Sequence, residues 1–141
     1  MNVLVSGSTG LVGSAVVNAL TTEGHRVTRL VRTEAPSGTA AIAWDPASKR
    51  LPTPALEGLD AVVHLAGENI ATGRWNSTKK TAIRDSRVQG TRVLCEGLAQ
   101  LVEPPKVLVS ASAIGYYGSR GDRVMREDSR PGTDFLAEVC R

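Results

Sequence analysis

The chain has 141 residues, a formal net charge of +3 and 22% charged residues, a length that fits one domain with a core of its own. Its basic residues are scattered except between Lys79 and Arg92, and aromatic residues make up 4% of it, which excludes both the electrostatic footprint and the stacking platform of a nucleic-acid binder. No apolar run approaches the ~20 residues of a membrane span, Met1-Asn2 leads straight into an apolar strand with no room for a signal peptide, and Cys95 and Cys140 lack metal-type spacing and read as reduced thiols of a cytoplasmic protein.

Val3-Leu4-Val5 is apolar and β-branched, too short for a helix, and ends at Ser6-Gly7; it reads as a strand buried on both faces. Gly7, Gly10 and Gly13 follow at three-residue spacing. Gly7 permits the tight turn, Gly10 lets a backbone approach a diphosphate, and Gly13 lets the following helix pack on the strand. That helix places Val12, Val16, Ala19 and Leu20 on one face and stops at Gly24 as its C′ residue. Its first turn offers N–H groups and a positive dipole end to phosphates. The Gly-Lys-Ser/Thr of a nucleoside-triphosphate loop is missing.

The second strand spans residues 25 to 31. In dinucleotide folds its tip meets the adenosine ribose, and here the tip is Val31-Arg32-Thr33. A guanidinium suits the 2′-phosphate of NADP, whereas Glu34, two positions on, keeps NAD open. Pro36, Pro46, Pro52 and Pro54, with Gly38 and Gly58, make residues 35 to 60 mostly loop. Within that loop Ala41-Ile-Ala-Trp44 forms a short third strand. Asp45 at its end either recognises an adenine amino group or starts a turn with Pro46.

Residues 59 to 67 form the next buried strand, whose small end residues Ala66-Gly67 let a cofactor cross the sheet edge. His64 within this run reads as a core histidine rather than a catalytic one. A long helix follows from about Trp75 to Leu101, with Ile83, Arg87, Gly90, Leu94 and Leu98 at helical spacing and Pro104-Pro105 ending it. Arg87 on that stripe needs a partner or a cleft, while Lys79, Lys80, Arg84 and Arg92 read as a solvated face. Residues 106 to 110 give a fifth parallel strand, and Ser110 and Ser112 place hydroxyls past its carboxyl end, to meet a ligand or to cap the loop. Residues 119 to 132 are loop, and Asp134 is the N-cap of a last helix.

Taken together, Gly7-Ser-Thr-Gly-Leu-Val-Gly13, Asp60-Ala-Val-Val-His-Leu-Ala-Gly67, Val88-Gln-Gly-Thr91 and Val109-Ser-Ala-Ser112 through Tyr117-Gly118 resemble the short-chain dehydrogenase/reductase superfamily, in its extended or atypical NAD-dependent epimerase/dehydratase branch. Leu65-Ala-Gly-Glu-Asn-Ile70 and Ser110-Ala-Ser-Ala-Ile-Gly-Tyr-Tyr-Gly118 narrow the likeness to a small group of predicted sugar-nucleotide epimerases. The resemblance implies an α/β fold with a Rossmann-type doubly wound parallel sheet, strand order 3-2-1-4-5, cut short at its C-terminal edge. Residues 1 to 141 would be the NAD(P)-binding N-terminal part of a longer family fold. It also implies a cofactor held by Thr9, Gly10, Leu11 and Val12, by Val31 and Arg32, by Leu65 and Ala66, and by Arg87.

Ser112, with Tyr117 nearby, stands in the place of the family's catalytic serine region, although one residue more than Ser-x-x-x-Tyr-Gly separates the two and Ser110 shares the assignment. Where the superfamily has its Tyr-x-x-x-Lys proton donor, this chain has Phe135-Leu-Ala-Glu-Val139. Three expectations follow: an NADP(H)-dependent oxidoreductase or epimerase acting on a hydroxyl or carbonyl of a small substrate, a non-catalytic nucleotide- or redox-sensing module, or a fragment that binds cofactor without turnover. The uncovered strand at the sheet edge would favour a homodimer.

Overall fold

The apolar run near the amino terminus becomes the centre of a parallel sheet because both of its faces carry side chains that need cover. In the computed structural model, which describes residues 1–33 and 40–141, strand β1 (Asn2–Ser6) pairs in parallel with β2 (Arg26–Val31) on one side and β4 (Ala61–His64) on the other. Strand β3 (Ala41–Ala43) lies outside β2 and β5 (Val107–Ser110) outside β4, so the sheet runs β3-β2-β1-β4-β5, the expected doubly wound order. Glu34, weighed above for NAD, lies outside the described residues, as do Pro36 and Gly38.

The described residues form two compact units, 1–110 and 111–141. In the first, α1 (Leu11–Thr22) and α2 (Ser77–Leu98) supply helical cover. Val3, Val5 and Val17 form one core, with Leu20 and Val27 packed against it. Leu4, Leu30, Trp44, Leu56 and Val62 form the other with Val93, Leu94 and Leu98 of α2. Alternation along β1 therefore sends Val3 and Val5 to one core and Leu4 to the other, and each fully buried aliphatic side chain contributes about 1.5–3 kcal/mol.

Helix α1 departs from its expected face. Gly13 and Val17 are buried, Val16 and Leu20 half-buried, while Val12 and Ala19 face solvent. The physical reason is Gly13: a Cβ there would lie 2.8 Å from the Gly7 carbonyl carbon and 2.9 Å from Ser8 Cα, and this approach of helix to loop turns Val12 outward. Gly24 adopts φ +80° and the N–H of His25 bonds to the Leu20 carbonyl at 2.9 Å, so the helix ends as expected. Helix α2 starts at Ser77 rather than near Trp75, because Asn76 caps it, its side chain accepting the Lys79 N–H at 2.9 Å.

Strand β5 has β4 as its single neighbour among the described strands. Val107, Leu108 and Val109 are 42–53% exposed, although they alternate between the two faces of a parallel strand that is ordinarily covered on both.

In the second unit, Gly118 adopts φ +65° and lies against Gly132 so closely that a Cβ on Gly132 would meet Gly118 Cα at 2.8 Å. Arg120 donates from Nε to the Tyr117 carbonyl at 2.9 Å and from Nη2 to the Pro131 carbonyl at 3.0 Å, closing the loop between them. The last helix, α3 (Phe135–Cys140), is capped as expected, with Asp134 Oδ1 accepting the Ala137 N–H at 2.9 Å.

Candidate functional site

Strands β1, β2 and β4 end together, and the loop after β1 fills the space between them. Gly7 turns there with φ +66°, and its carbonyl accepts the Gly10 N–H at 3.0 Å. Arg29 of β2 donates to the Ser8 carbonyl at 3.2 Å and fixes the loop from below. Helix α1 then begins at Gly10 with no side-chain cap and no acidic residue in its first turn. Its leading N–H groups and positive dipole end are left to whatever anion approaches, in contrast to α2, whose start carries the Asn76 cap.

A cleft of about 350 Å³ opens beside this helix start, within the range of small-molecule sites. Gly7, Ser8, Thr9 and Gly10 line one wall, Val31, Arg32 and Thr33 a second, and Leu65, Ala66 and Gly67 the floor. Leu30, Trp44, Pro46 and Ser86 complete it. Among the described residues the exposed Arg32 guanidinium makes no hydrogen bond or ion pair, so its charge is available at the lip. The Ser8 hydroxyl is 1% exposed and has no partner among the described residues, which suits a ligand that brings an acceptor or donor of its own.

Eight of the expected contact residues meet at this cleft: Gly7, Thr9, Gly10, Val31, Arg32, Leu65, Ala66 and Gly67. Five do not line it. Leu11 and Val12 are exposed on the first turn of α1, and Gly13 is buried against the loop. The exposed Asp45 carboxylate is engaged in a turn, accepting the Ser48 hydroxyl at 2.6 Å and the Ala47 N–H at 3.0 Å; these bonds hold its pKa below the usual carboxylate value. Arg87 is half-buried, donates from Nη1 to the Glu68 carbonyl at 3.1 Å and packs on Gly67, where a Cβ would come within 2.9 Å of Cζ.

Ser8, Trp44, Pro46 and Ser86 escaped the sequence reading. Ser8 lies between two glycines already assigned, so its polarity carried a usable signal. Trp44 and Ser86 depend on tertiary approach: a Cβ added at Gly90 of α2 would lie 3.7 Å from Trp44 Cη2, and Ser86 accepts the Glu68 N–H at 2.9 Å.

Lys79 corrects the expectation of a solvated face. Its side chain is 14% exposed, its Nζ pairs with Glu68 Oε1 at 2.6 Å and donates to Thr72 Oγ1 at 3.1 Å, because the loop after β4 folds back over the start of α2. The Lys79 hydrogen bond, with the charges of Arg32 and Arg87 adding to it, lowers the Glu68 pKa below its ordinary value. A depressed carboxylate pKa favours the fold above the unfolded value near 4.5, and that contribution disappears as pH falls through the folded value. We expect Lys79→Met to cost under about 1 kcal/mol at pH 7, and urea unfolding at descending pH to bring the variant and the wild type together in the acid range.

His64 is buried at 3% exposure, and burial lowers its pKa from 6.5. Below that pH the unfolded chain takes up a proton that the folded ring resists, so the residue disfavours folding as pH falls. In the second unit, Ser112 is exposed and Tyr117 half-buried, with the Tyr116 and Tyr117 rings edge to face at 5.1 Å. Arg120, four positions after Tyr116, donates to the Tyr117 carbonyl and not to a phenol, so Tyr116 and Arg120 do not form a proton-donor pair.

Residues 3–136 match the profile of the NAD dependent epimerase/dehydratase family. The chain belongs to this family. An epimerase family protein of Mycobacterium leprae is 41% identical over 139 residues, which are 99% of this chain and 44% of that protein. A crystal structure of human epimerase family protein SDR39U1 with NADPH superposes with a TM-score of 0.84 at 35% identity, covering 99% of this chain and 46% of the human one. A nucleoside-diphosphate sugar epimerase from Corynebacterium glutamicum gives a TM-score of 0.80 at 42% identity, covering 99% of this chain and 28% of that structure. The chain thus spans less than half the length of these epimerase/dehydratase family relatives.

Proposed function

We propose that the cleft binds NADP(H) and that the protein uses it on a hydroxyl or carbonyl group of a small, sugar-like substrate. The observation that carries the reading is the Arg32 guanidinium, without a hydrogen bond or ion pair among the described residues, at the lip of a cleft whose other wall is an uncapped helix start. The diphosphate would lie against the first-turn N–H groups of α1, and Arg32 would take the 2′-phosphate through charge-assisted hydrogen bonds. When bound, the nicotinamide supplies hydride transfer. The NADPH of the human relative and the name of the C. glutamicum relative support the cofactor and the substrate class. Calorimetric titration of the 141-residue chain with NADPH and NADH tests the reading, which requires NADPH to bind the more tightly.

A second reading is favoured by Phe135 and Val139 on α3, which stand where the superfamily places its tyrosine and lysine. A chain lacking that proton donor would bind the dinucleotide without turning it over, whereas the first reading leaves the polarising of a substrate oxygen to Ser112 and Tyr117. NADPH binding with no oxidation across a panel of carbonyl compounds distinguishes this reading from the first.

The exposed apolar residues of β5 also support self-association along that edge. A sedimentation coefficient that rises with concentration is the expected result, and a monomer at every concentration rejects it.

A further inference from the structure

The floor of the cleft is built from two peptide groups, those of Leu65 and Ala66, at the point where β4 ends. Ser6 Oγ lies beneath them, accepting the Leu65 N–H at 3.1 Å and the Ala66 N–H at 3.2 Å. The Leu65 N–H has a second acceptor in the Ser6 carbonyl at 3.3 Å; the hydroxyl is the one acceptor of the Ala66 N–H among the described residues. Two accepted bonds use both lone pairs of the hydroxyl. Its single proton then has one place to go, His64 Nδ1, 2.6 Å away.

This fixes the state of the ring. Nδ1 must be the acceptor, so His64 is neutral and carries its proton on Nε2. Ser6 and His64 are direct neighbours in the β1–β4 register, both fully or nearly buried. Nε2 has no hydrogen-bond partner among the described residues, and the Trp44 ring stands edge to face at 6.2 Å. A proton on Nδ1 would face an oxygen with no lone pair left and would displace the serine proton into an apolar core. Buried polar groups are ordinarily satisfied, so a chain that leaves Nε2 without a partner while Nδ1 is satisfied points to the Nδ1 side as the one under constraint.

We propose that Ser6 and His64 act as a positioning pair for the cleft: the neutral ring orients the serine hydroxyl, and the hydroxyl holds the Leu65 and Ala66 peptides where the dinucleotide backbone crosses the sheet edge. Neither side chain touches the cofactor. The inference rests on the reading of the cleft as an NADP(H) site for its effect on binding, but the bonds that define the pair belong to the unliganded protein.

Three measurements on the full 141-residue chain test it. In wild type, ring-nitrogen chemical shifts of His64 should report the Nε2–H tautomer at pH 7, and the Nδ1–H tautomer overturns the assignment. His64→Leu removes the acceptor while keeping the site apolar; the Ala66 amide should then exchange about three- to tenfold faster with deuterium, and NADPH affinity should fall about three- to tenfold, the loss of one hydrogen bond of ~1 kcal/mol. His64→Asn restores an acceptor oxygen near the position of Nδ1 and should recover most of both, which a packing role alone would not allow. Where His64→Leu does not fold, Ser6→Ala supplies the same two readouts. Unchanged Ala66 exchange in the folded variant overturns the proposal. Failure of the wild type to bind NADPH while Ala66 exchange responds as expected overturns the NADP(H) reading and the positioning role, and leaves the bonding pattern standing.

Discussion

Replacing Arg32 with alanine should weaken NADPH binding about 10- to 100-fold, the equivalent of the ~1.5–3 kcal/mol of a hydrogen bond to a charged group. NADH binding should stay within about threefold, because the two coenzymes differ by the 2′-phosphate alone and the proposed function assigns the guanidinium to that group. Stability should move by less than ~0.5 kcal/mol, since Arg32 is exposed and forms no hydrogen bond or ion pair among the described residues. Calorimetric titration of wild type and variant with both coenzymes checks it. Equal losses for NADPH and NADH would show that Arg32 reads some feature common to both, and the assignment of the 2′-phosphate would fall. The nearby Glu68 carboxylate interacts with Arg32 electrostatically, so Glu68→Gln should tighten NADPH binding slightly by removing a negative charge.

The Gly7→Ala substitution tests the other wall. Gly7 combines φ +66° with a backbone approach in which a Cβ would come within 2.7 Å of the Leu65 carbonyl and 2.8 Å of the Ala66 nitrogen. The left-handed conformation costs an alanine ~1 kcal/mol and the collision with main chain adds roughly 1–3 kcal/mol, because neither strand can retreat without breaking the β1–β4 ladder. A loss of about 2–4 kcal/mol and a fall of roughly 10 °C in Tm are expected, with NADPH binding lowered by more than about tenfold as the loop shifts away from the helix start. Gly58→Ala is the control: φ is +77° there but no atom lies within 4 Å of the added Cβ, so conformational strain of ~1 kcal/mol should be the whole effect. Equal costs for the two substitutions in urea unfolding would show that the approach of Leu65 and Ala66 to the loop is slack.

Much of the candidate site was legible beforehand because it is local in sequence. Gly7, Thr9 and Gly10 form one continuous turn, and the tips of β2 and β4 follow from where their apolar runs stop. The parts that were not legible involve distant segments. Lys79 looked like one cation among several on a helix, and only the return of the loop from β4 brings Glu68 within 2.6 Å of it. Asp45 presented two readings of equal standing, and the positions of Ser48 and Ala47 engage its carboxylate in the turn. Val12 looked apolar enough to face the strand, but the close contact of Gly13 with the loop rotates the helix and leaves Val12 60% exposed.

The amino-acid sequence by itself determined the strand-turn-helix at the amino terminus, the places where the chain must turn, and the sheet order implied by the family likeness. These depend on backbone sterics and on apolar periodicity, which act between near neighbours. Only the tertiary structure decided which polar groups have partners: that the Arg32 guanidinium and the Ser8 hydroxyl are uncommitted among the described residues while Asp45, Lys79 and Arg87 are engaged, and that Ser6 meets His64 across 58 residues of chain. A hydrogen bond is made or lost within a few tenths of an ångström, a precision that residue type and spacing do not carry, whereas burial of an apolar stripe tolerates far more.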